Sequence, residues 1–250
     1  MKQRYLRTTE VARAVGVHPN TVRLYEEWGF LPPIPRSPKG YRLFTEHHVD
    51  LMRLARTALH FPYPGGKGPV LGLVKCAVEG DITRALELAH RYLDQVKAER
   101  GHAEAAAEVM ERWAEGALVE LPGKRLNIGE AASVLGVTTD ALRNWDKSGL
   151  IRIPRHPASR YRQYGPREIN RLRVIRVLRS AGYSVMAILR MLNHLDRGGR
   201  DLRYALDTPP PDEDAVYFTD RWLSTLSEQE QRARDVIALL EDMNRKRAPA

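Results

Sequence analysis

The sequence predicts a mainly α-helical fold: two winged helix-turn-helix domains, each followed by a long coiled-coil-like helix. Three observations carry this. A segment recurs at a fixed offset, each copy holds two short amphipathic helices around a glycine turn, and each copy feeds an apolar seam of 3–4 spacing.

Residues 6–55 align on 126–175 at a constant offset of 120, with no gap. Leu6, Glu10, Gly16, Val17, Arg23, Gly29, Tyr41 and Arg42 recur as Leu126, Glu130, Gly136, Val137, Arg143, Gly149, Tyr161 and Arg162. The chain therefore reads as a duplicated module.

The elements follow in order. In copy 2, Asn127 with Glu130 three residues on is a capping box for the first helix. Gly136 supplies the positive φ of the turn, and Thr138 caps a second helix running to about Ser148. In copy 1 the turn is Gly16-Val17-His18-Pro19, with Pro19 at the first helical position, where a missing N–H costs nothing. Gly29 and Gly149 end the second helices. Arg36 to Phe44 and His156 to Tyr164 each read as a turn between short extended runs, a two-stranded wing. Third helices begin near Thr45 and Pro166.

Asp81 can cap a long helix of about 82–116, whose apolar positions include Ile82, Ala89, Leu93, Val96, Ala103, Ala107 and Met110. A second arm, about 219–246, carries Trp222, Leu226, Ala233, Val236, Leu240 and Met243. Before it, Pro209-Pro210-Pro211 and Asp212-Glu213-Asp214 read as a stiff acidic linker. The expected division is a first module at 1–80, a connecting helix at 81–122, a second module at 123–200, and an acidic linker with a C-terminal helix at 201–250.

Charge follows the same division. Lys and Arg number 10 against 5 Asp and Glu in residues 1–60, and 16 against 5 in 123–200. The intervening 61–122 has 7 against 10, and 201–250 has 7 against 11. Basic modules separated by acidic arms suit a polyanionic partner. Cys76 is the single cysteine, which excludes an internal disulfide and any multi-cysteine cluster within one chain. No apolar run is long enough to span a bilayer, and Met1 to Arg7 leads into no secretory leader. The expected compartment is the cytoplasm, with no membrane partner.

Two stretches resemble the MerR family. The first runs from Glu10-Val11-Ala12 through Gly16-Val17-His18-Pro19-Asn20-Thr21-Val22-Arg23-Leu24-Tyr25-Glu26 to Gly40-Tyr41-Arg42-Leu43-Phe44. The second is Gly136-Val137-Thr138-Thr139-Asp140-Ala141-Leu142-Arg143-Asn144-Trp145-Asp146, then Arg160-Tyr161-Arg162-Gln163-Tyr164. The resemblance implies a cytosolic bacterial transcription regulator. Its recognition helices would enter successive major grooves, its wings would grip the backbone, and its long helices would pair antiparallel. It also implies distortion of promoter DNA and RNA polymerase as a partner. The chain departs from the family in three places. Leu24 and Asn144 replace an aromatic of the recognition helix, Arg160 replaces the wing glycine, and copy 1 lacks a clean next helix pair because Pro62 to Pro69 intervenes. The thiol-based metal site of several members has no counterpart.

The first turn of each second helix is expected to face base edges. That places Asn20 and Thr21 there in copy 1, with His18 beside them, and Asp140 and Ala141 at the same places in copy 2, with Thr139 beside them. Asn can pair with adenine, and Asp can accept from cytosine. A carboxylate at that place equally suits the helix dipole, so Asp140 has two readings. Arg23, Arg143 and Asn144 lie about one turn on. Tyr25 is expected at the backbone, whereas Trp145 packs. Lys39, Tyr41 and Arg42, with Arg160, Tyr161 and Arg162, are the wing candidates for phosphate. Arg171, Arg173, Arg176 and Arg179 read either as a solvated face or as a track along the backbone. Tyr92, Trp113 and Trp222 could line an effector pocket, or be simple core. No catalytic motif, cofactor site or metal site is expected. The arms could pair within one chain as a pseudo-dimer, or between chains as a homodimer. The competing function is an architectural, excisionase-like protein that bends double-stranded DNA.

Overall fold

A computed structural model describes residues 4–116, 123–209 and 218–247. The expected acidic linker at Pro210 to Asp214 lies outside the described residues. The fold is mainly helical, as expected. It divides into two compact units: 4–98 with 226–247, and 99–116 with 123–209 and 218–225, as far as described.

In the first unit, α1 (Thr8–Val15) and α2 (Pro19–Glu27) form the helix-turn-helix, followed by α3 (Glu46–Ala58) and α4 (Gly68–Glu79). The helix α5 (Ile82–Ala114) begins here. Glu10 accepts the Arg7 N–H at 2.7 Å, and Gly16 closes α1 at φ 68°. His18 caps α2 by accepting the Asn20 N–H at 3.2 Å, with Pro19 in the first turn. The core joins Val11, Val22, Leu31 and Phe44 to Met52, Leu54, Leu73 and Val74, and onward to Ala85, Ala89 and Val96 of α5.

The same core takes in Ala233, Val236, Leu240 and Met243 of α11 (Trp222–Arg247). An Arg247 guanidinium bonds the Gly80 carbonyl, and the Arg232 guanidinium donates to the His60 carbonyl at 3.2 Å. Ala89 and Tyr92 meet Ala233 and Val236. Within this unit the two long helices thus run antiparallel, and the first module is completed by the far end of the chain.

In the second unit, α6 (Ile128–Leu135), α7 (Thr139–Lys147), α8 (Pro166–Ser180) and α9 (Val185–Asp196) repeat the plan. Asn127 and Glu130 make the expected capping box, at 2.8 and 3.0 Å. Thr138 caps α7 through the Ala141 N–H at 3.1 Å. A buried Tyr183 hydroxyl donates to the Ala103 carbonyl of α5 at 3.1 Å, and Arg203 grips Glu111 bidentately at 2.9 and 3.0 Å. Burial pushes the Tyr183 phenol far above its ordinary range.

Three expectations are corrected. Copy 1 does possess the next helix pair: α4 packs on α3 and buries Val70, Leu73, Val74 and Ala77. The Pro-Gly run ends at the helix start, and Pro69 occupies the first turn, where no N–H is needed. Second, the wings hold isolated bridges, Arg36 with Arg42 and Arg155 with Arg162, each joined by a third extended segment through Leu6–Phe44 or Leu126–Tyr164. Prolines 35 and 154 can accept but not donate, so the ladders stay short.

Third, the repeat is not gapless. Arg36 and Arg155 occupy equivalent bridges, an offset of 119, while Arg42 and Arg162 keep 120. Ile34-Pro35-Arg36 therefore matches Ile153-Pro154-Arg155, with Ile34 and Ile153 both buried. Copy 2 is one residue shorter before the wing and one longer at its tip. The Gly40 N–H closes its turn on the Ser37 carbonyl, whereas the Arg160 N–H reaches one residue further, to the His156 carbonyl.

Further elements were not anticipated. A short helix α10 (Leu202–Asp207) packs on α9. Arg190 donates to the carbonyls of Ala205 at 2.7 Å, Leu206 at 3.2 Å and Asp220 at 2.8 Å, tying α10 and the 3-10 turn Phe218–Arg221 to α9.

Candidate nucleic-acid interface

Each unit exposes the first turn of its second helix. Asn20 and Asp140 are exposed, with Thr21, Thr139 and Ala141 half-buried beside them. The burial pattern sets this orientation. Val22 is fully buried beneath α2, and Leu142 and Trp145 beneath α7, so the opposite face must look outward. Val22 and Leu142 are equivalent anchors.

The two first turns differ electrostatically. Arg23 reaches the neutral Asn20 amide oxygen at 3.5 Å, whereas Arg143 makes a 2.6 Å ion pair with Asp140. Asp140 is 80% exposed at its side chain, so the pair is wet and contributes little to stability. It does partly neutralise the cation on that helix face. Leu24 and Asn144 are both exposed. Tyr25 is half-buried against Phe30, ring centroids 5.7 Å apart and edge-on, and burial raises its phenol pKa. Trp145 is buried, the packing role expected of it.

Both wings are braced by a buttress that sequence reasoning missed. The Arg42 Nε donates to a Glu26 carboxylate oxygen at 2.6 Å. The Arg162 Nε donates to Asp146 at 2.8 Å, with its other arm at 2.7 Å. Each arginine side chain is 23% exposed. The guanidinium thus holds the wing against the recognition helix, and only part of it faces solvent. The recurrence of Glu26/Asp146 with Arg42/Arg162 at one offset was the available signal.

Wing tips are open. Tyr41 is 57% exposed and carries the Arg7 guanidinium over its ring at 4.7 Å. Tyr161 is 77% exposed, with Asn127 in place of that arginine. Lys39 and Arg160 are exposed. Gly40 sits at φ 80°, and Arg160 takes the same left-handed region at φ 61°, which costs an L-residue free energy.

The arginines of the third helix are scaffold. Arg56 donates to the Val15 carbonyl, and Arg176 does the same for Leu135 at 2.9 Å, closing the C-terminus of the first helix in each module. Arg171 grips Asp196 bidentately at 2.8 and 2.9 Å and lowers that carboxyl's pKa. Arg173 bonds the Asn170 amide oxygen, and Arg179 the Tyr183 carbonyl.

The expected effector aromatics are divided between the two units. Tyr92 belongs to the first unit's core. Trp113 and Trp222 lie in the second, where the Trp222 indole N–H donates to the Ala181 carbonyl at 2.8 Å and its ring covers Gly182 so closely that a Cβ would overlap it. Among the described residues, no group of three His, Cys, Asp or Glu is placed to hold a metal ion, and no helix is long and apolar enough to cross a membrane.

Two helix-turn-helix modules with buttressed wings and outward-facing first turns define a tandem helix-turn-helix protein. The model of the MerR HTH family of regulatory proteins matches residues 6–63 and 126–195, which together make up half of the chain, and the chain belongs to that family. A probable heavy metal-dependent transcriptional regulator of Haemophilus influenzae is 29% identical over 116 residues, covering 46% of this chain and 83% of that protein. The HTH-type transcriptional regulator HmrR of Sinorhizobium medicae is 42% identical over 67 residues, covering 27% of this chain and 46% of its own length. A mercuric resistance operon regulatory protein of Bacillus cereus is 30% identical over 73 residues, covering 29% and 55%. No solved structure matches significantly. The chain is a MerR-family transcriptional regulator, a non-enzymatic class of protein.

Proposed function

We propose that the protein regulates transcription in the bacterial cytoplasm by binding double-stranded DNA through α2 and α7, reading two unlike half-sites with one chain. The observation that carries this is the pair of exposed first turns, chemically different on a shared scaffold. Asn20 and Thr21 suit an adenine and a thymine methyl, while Asp140 beside Arg143 suits a cytosine next to a guanine or a phosphate. The exposed wing residues Lys39, Tyr41, Arg160 and Tyr161 would hold the backbone, with Arg42 and Arg162 presenting what their buttresses leave open. The family pairs its long helices, and here the first module is completed by α11 of the same chain. That supports a pseudo-dimeric monomer that distorts promoter DNA for RNA polymerase.

The metal named for several relatives does not fit a thiolate site here. One cysteine, half-buried Cys76, is the chain's whole supply. Selection of binding sites from a random duplex pool tests the proposal. A site with two unlike halves is expected, Asn20→Ala relaxing one half and Asp140→Ala the other. A palindromic site, or a homodimer in sedimentation, would refute the asymmetric reading. A bend without any change in transcript level would favour an architectural role.

A further inference from the structure

The second unit holds a cleft that the plan of the module does not account for. In the first unit only Gly80 and Asp81 separate α4 from α5. In the second, the chain leaves α9 at Asp196, and the added helix α10 packs on α9. A cleft of about 530 Å³ opens between these two helices, a size that takes a small organic molecule. None of Tyr92, Trp113 and Trp222 lines it.

Its walls are mainly apolar. Met186 and Leu189 come from α9, and Tyr204 and Ala205 from α10. Met186 is 48% exposed and Tyr204 63%, so each wall leaves a large apolar side chain open to water. An apolar body placed between them removes that surface from water.

The polar lining is one-sided. Among the described residues that form it there is no acid. Arg190 belongs to the scaffold, since it donates to the carbonyls of Ala205, Leu206 and Asp220. Arg197 is exposed, and its side chain has no ion-pair partner among the described residues. The acids nearest in sequence are engaged elsewhere. Asp196 is held by Arg171 at 2.8 Å, Asp201 accepts the Tyr204 N–H at 3.1 Å, and Asp207 accepts the Leu223 N–H at 2.8 Å. Asn193 and Thr208 add neutral donors to the same lining.

We infer that this cleft is an effector site for a small amphipathic anion, an aryl carboxylate, with its ring between Met186, Leu189 and Tyr204 and its carboxylate at Arg197. A guanidinium fork matches a carboxylate, and the apolar walls match the ring. A bound molecule would add contacts between α9 and α10. Arg190 already ties α10 to the 3-10 turn ahead of α11, so the restraint would reach that link. The inference stands apart from the DNA-binding reading, because the binding is measured without DNA.

The test uses the full chain with isotope-labelled methionine methyls, titrated with naphthylacetate and followed by NMR. The Met186 resonance, assigned by its loss in Met186→Leu, is expected to shift saturably. Neutral naphthylethanol is expected to bind about tenfold more weakly. Arg197→Gln is expected to weaken naphthylacetate about tenfold and to erase that preference, while Tyr204→Ala weakens both probes alike. Both residues are exposed, so the melting profile is expected to stay unchanged. No saturable Met186 shift at millimolar naphthylacetate overturns the site. Equal affinity for naphthylacetate and the cation naphthylethylamine, or a preference that survives Arg197→Gln, overturns the anion assignment. A shift that appears only after Asp212→Ser, Glu213→Ser and Asp214→Ser together would give the cleft to the chain's own acidic segment and overturn the small ligand.

Discussion

The two modules share a frame yet solve the same local problems with different residues. At the wing-to-helix junction, the Thr45 N–H is accepted by His48 Nδ1 at 2.9 Å in the first module, and the Gly165 N–H by Glu168 at 2.9 Å in the second. Under the wing, Phe44 is replaced by Tyr164, equally buried. At the tip, Gly40 becomes Arg160 in a turn one residue longer. Where the frame must bear load, the residues agree: Arg56 and Arg176, Glu26–Arg42 and Asp146–Arg162. Duplicated modules diverge at caps and tips because several side chains can satisfy one backbone group there. A half-buried guanidinium accepts fewer substitutes.

The largest expected effect tests the shared part. Glu26→Ala and Asp146→Ala each leave a half-buried guanidinium without its carboxylate, and each is expected to cost about 1.5–3 kcal/mol. Hydrogen exchange on the full chain, followed unit by unit, would read this. Unequal losses would break the claim that the buttresses are equivalent.

The junction sharpens the comparison through pH. Burial and neighbouring His47 lower the His48 pKa, and His47 is itself lowered. A base with a depressed folded pKa stays neutral while its unfolded counterpart, near 6.5, takes up a proton. Stability is therefore full above about pH 6.5 and falls as pH drops below it toward the folded pKa. Glu168 and Arg167 occupy these places in the second module, so no imidazole stands at that junction. The first unit alone is expected to loosen between pH 7 and 5.5, by an amount comparable to losing a cap, about 1 kcal/mol. His47→Gln combined with His48→Glu is expected to abolish the difference, and equal loosening of both units would contradict it.

Arg160→Gly relieves the left-handed strain at the longer tip, offset in part by glycine's entropy, so a gain of about 0.5–1 kcal/mol in the second unit is expected. The same change should weaken DNA binding if Arg160 meets phosphate. The smallest effect belongs to Tyr164. Its hydroxyl is buried with no hydrogen-bond partner among the described residues, and burial raises its pKa. Tyr164→Phe copies the first module and is expected to stabilise by about 0.5 kcal/mol. A loss of stability would show that the hydroxyl is satisfied in solution.

Much of this was legible from local pattern. The caps at Asn127 and Thr138, the turns at Gly16 and Gly136 and the start of the third helices depend on residues within four positions of one another. The one-residue shift at Ile153-Pro154-Arg155 was hidden because a deletion and an insertion cancel within a few residues. The helix α4 was hidden by a Pro-Gly run that looks like a breaker and is a helix start. Site chemistry divided in the same way. The first-turn residues could be placed from spacing, whereas the commitment of Arg42 to Glu26, 16 residues earlier, required the wing to fold back.

By itself, the sequence determined two helix-turn-helix modules, the basic bias of each, and the single thiol that rules out a multi-cysteine metal site within the chain. Those follow from composition and short-range hydrogen bonding. Only the tertiary structure decided that α11 completes the core around α1 to α5 and that the wing arginines brace the recognition helices. Each of these joins residues far apart in the chain. Apolar seams mark a surface that must be covered, but periodicity is the same whichever partner covers it.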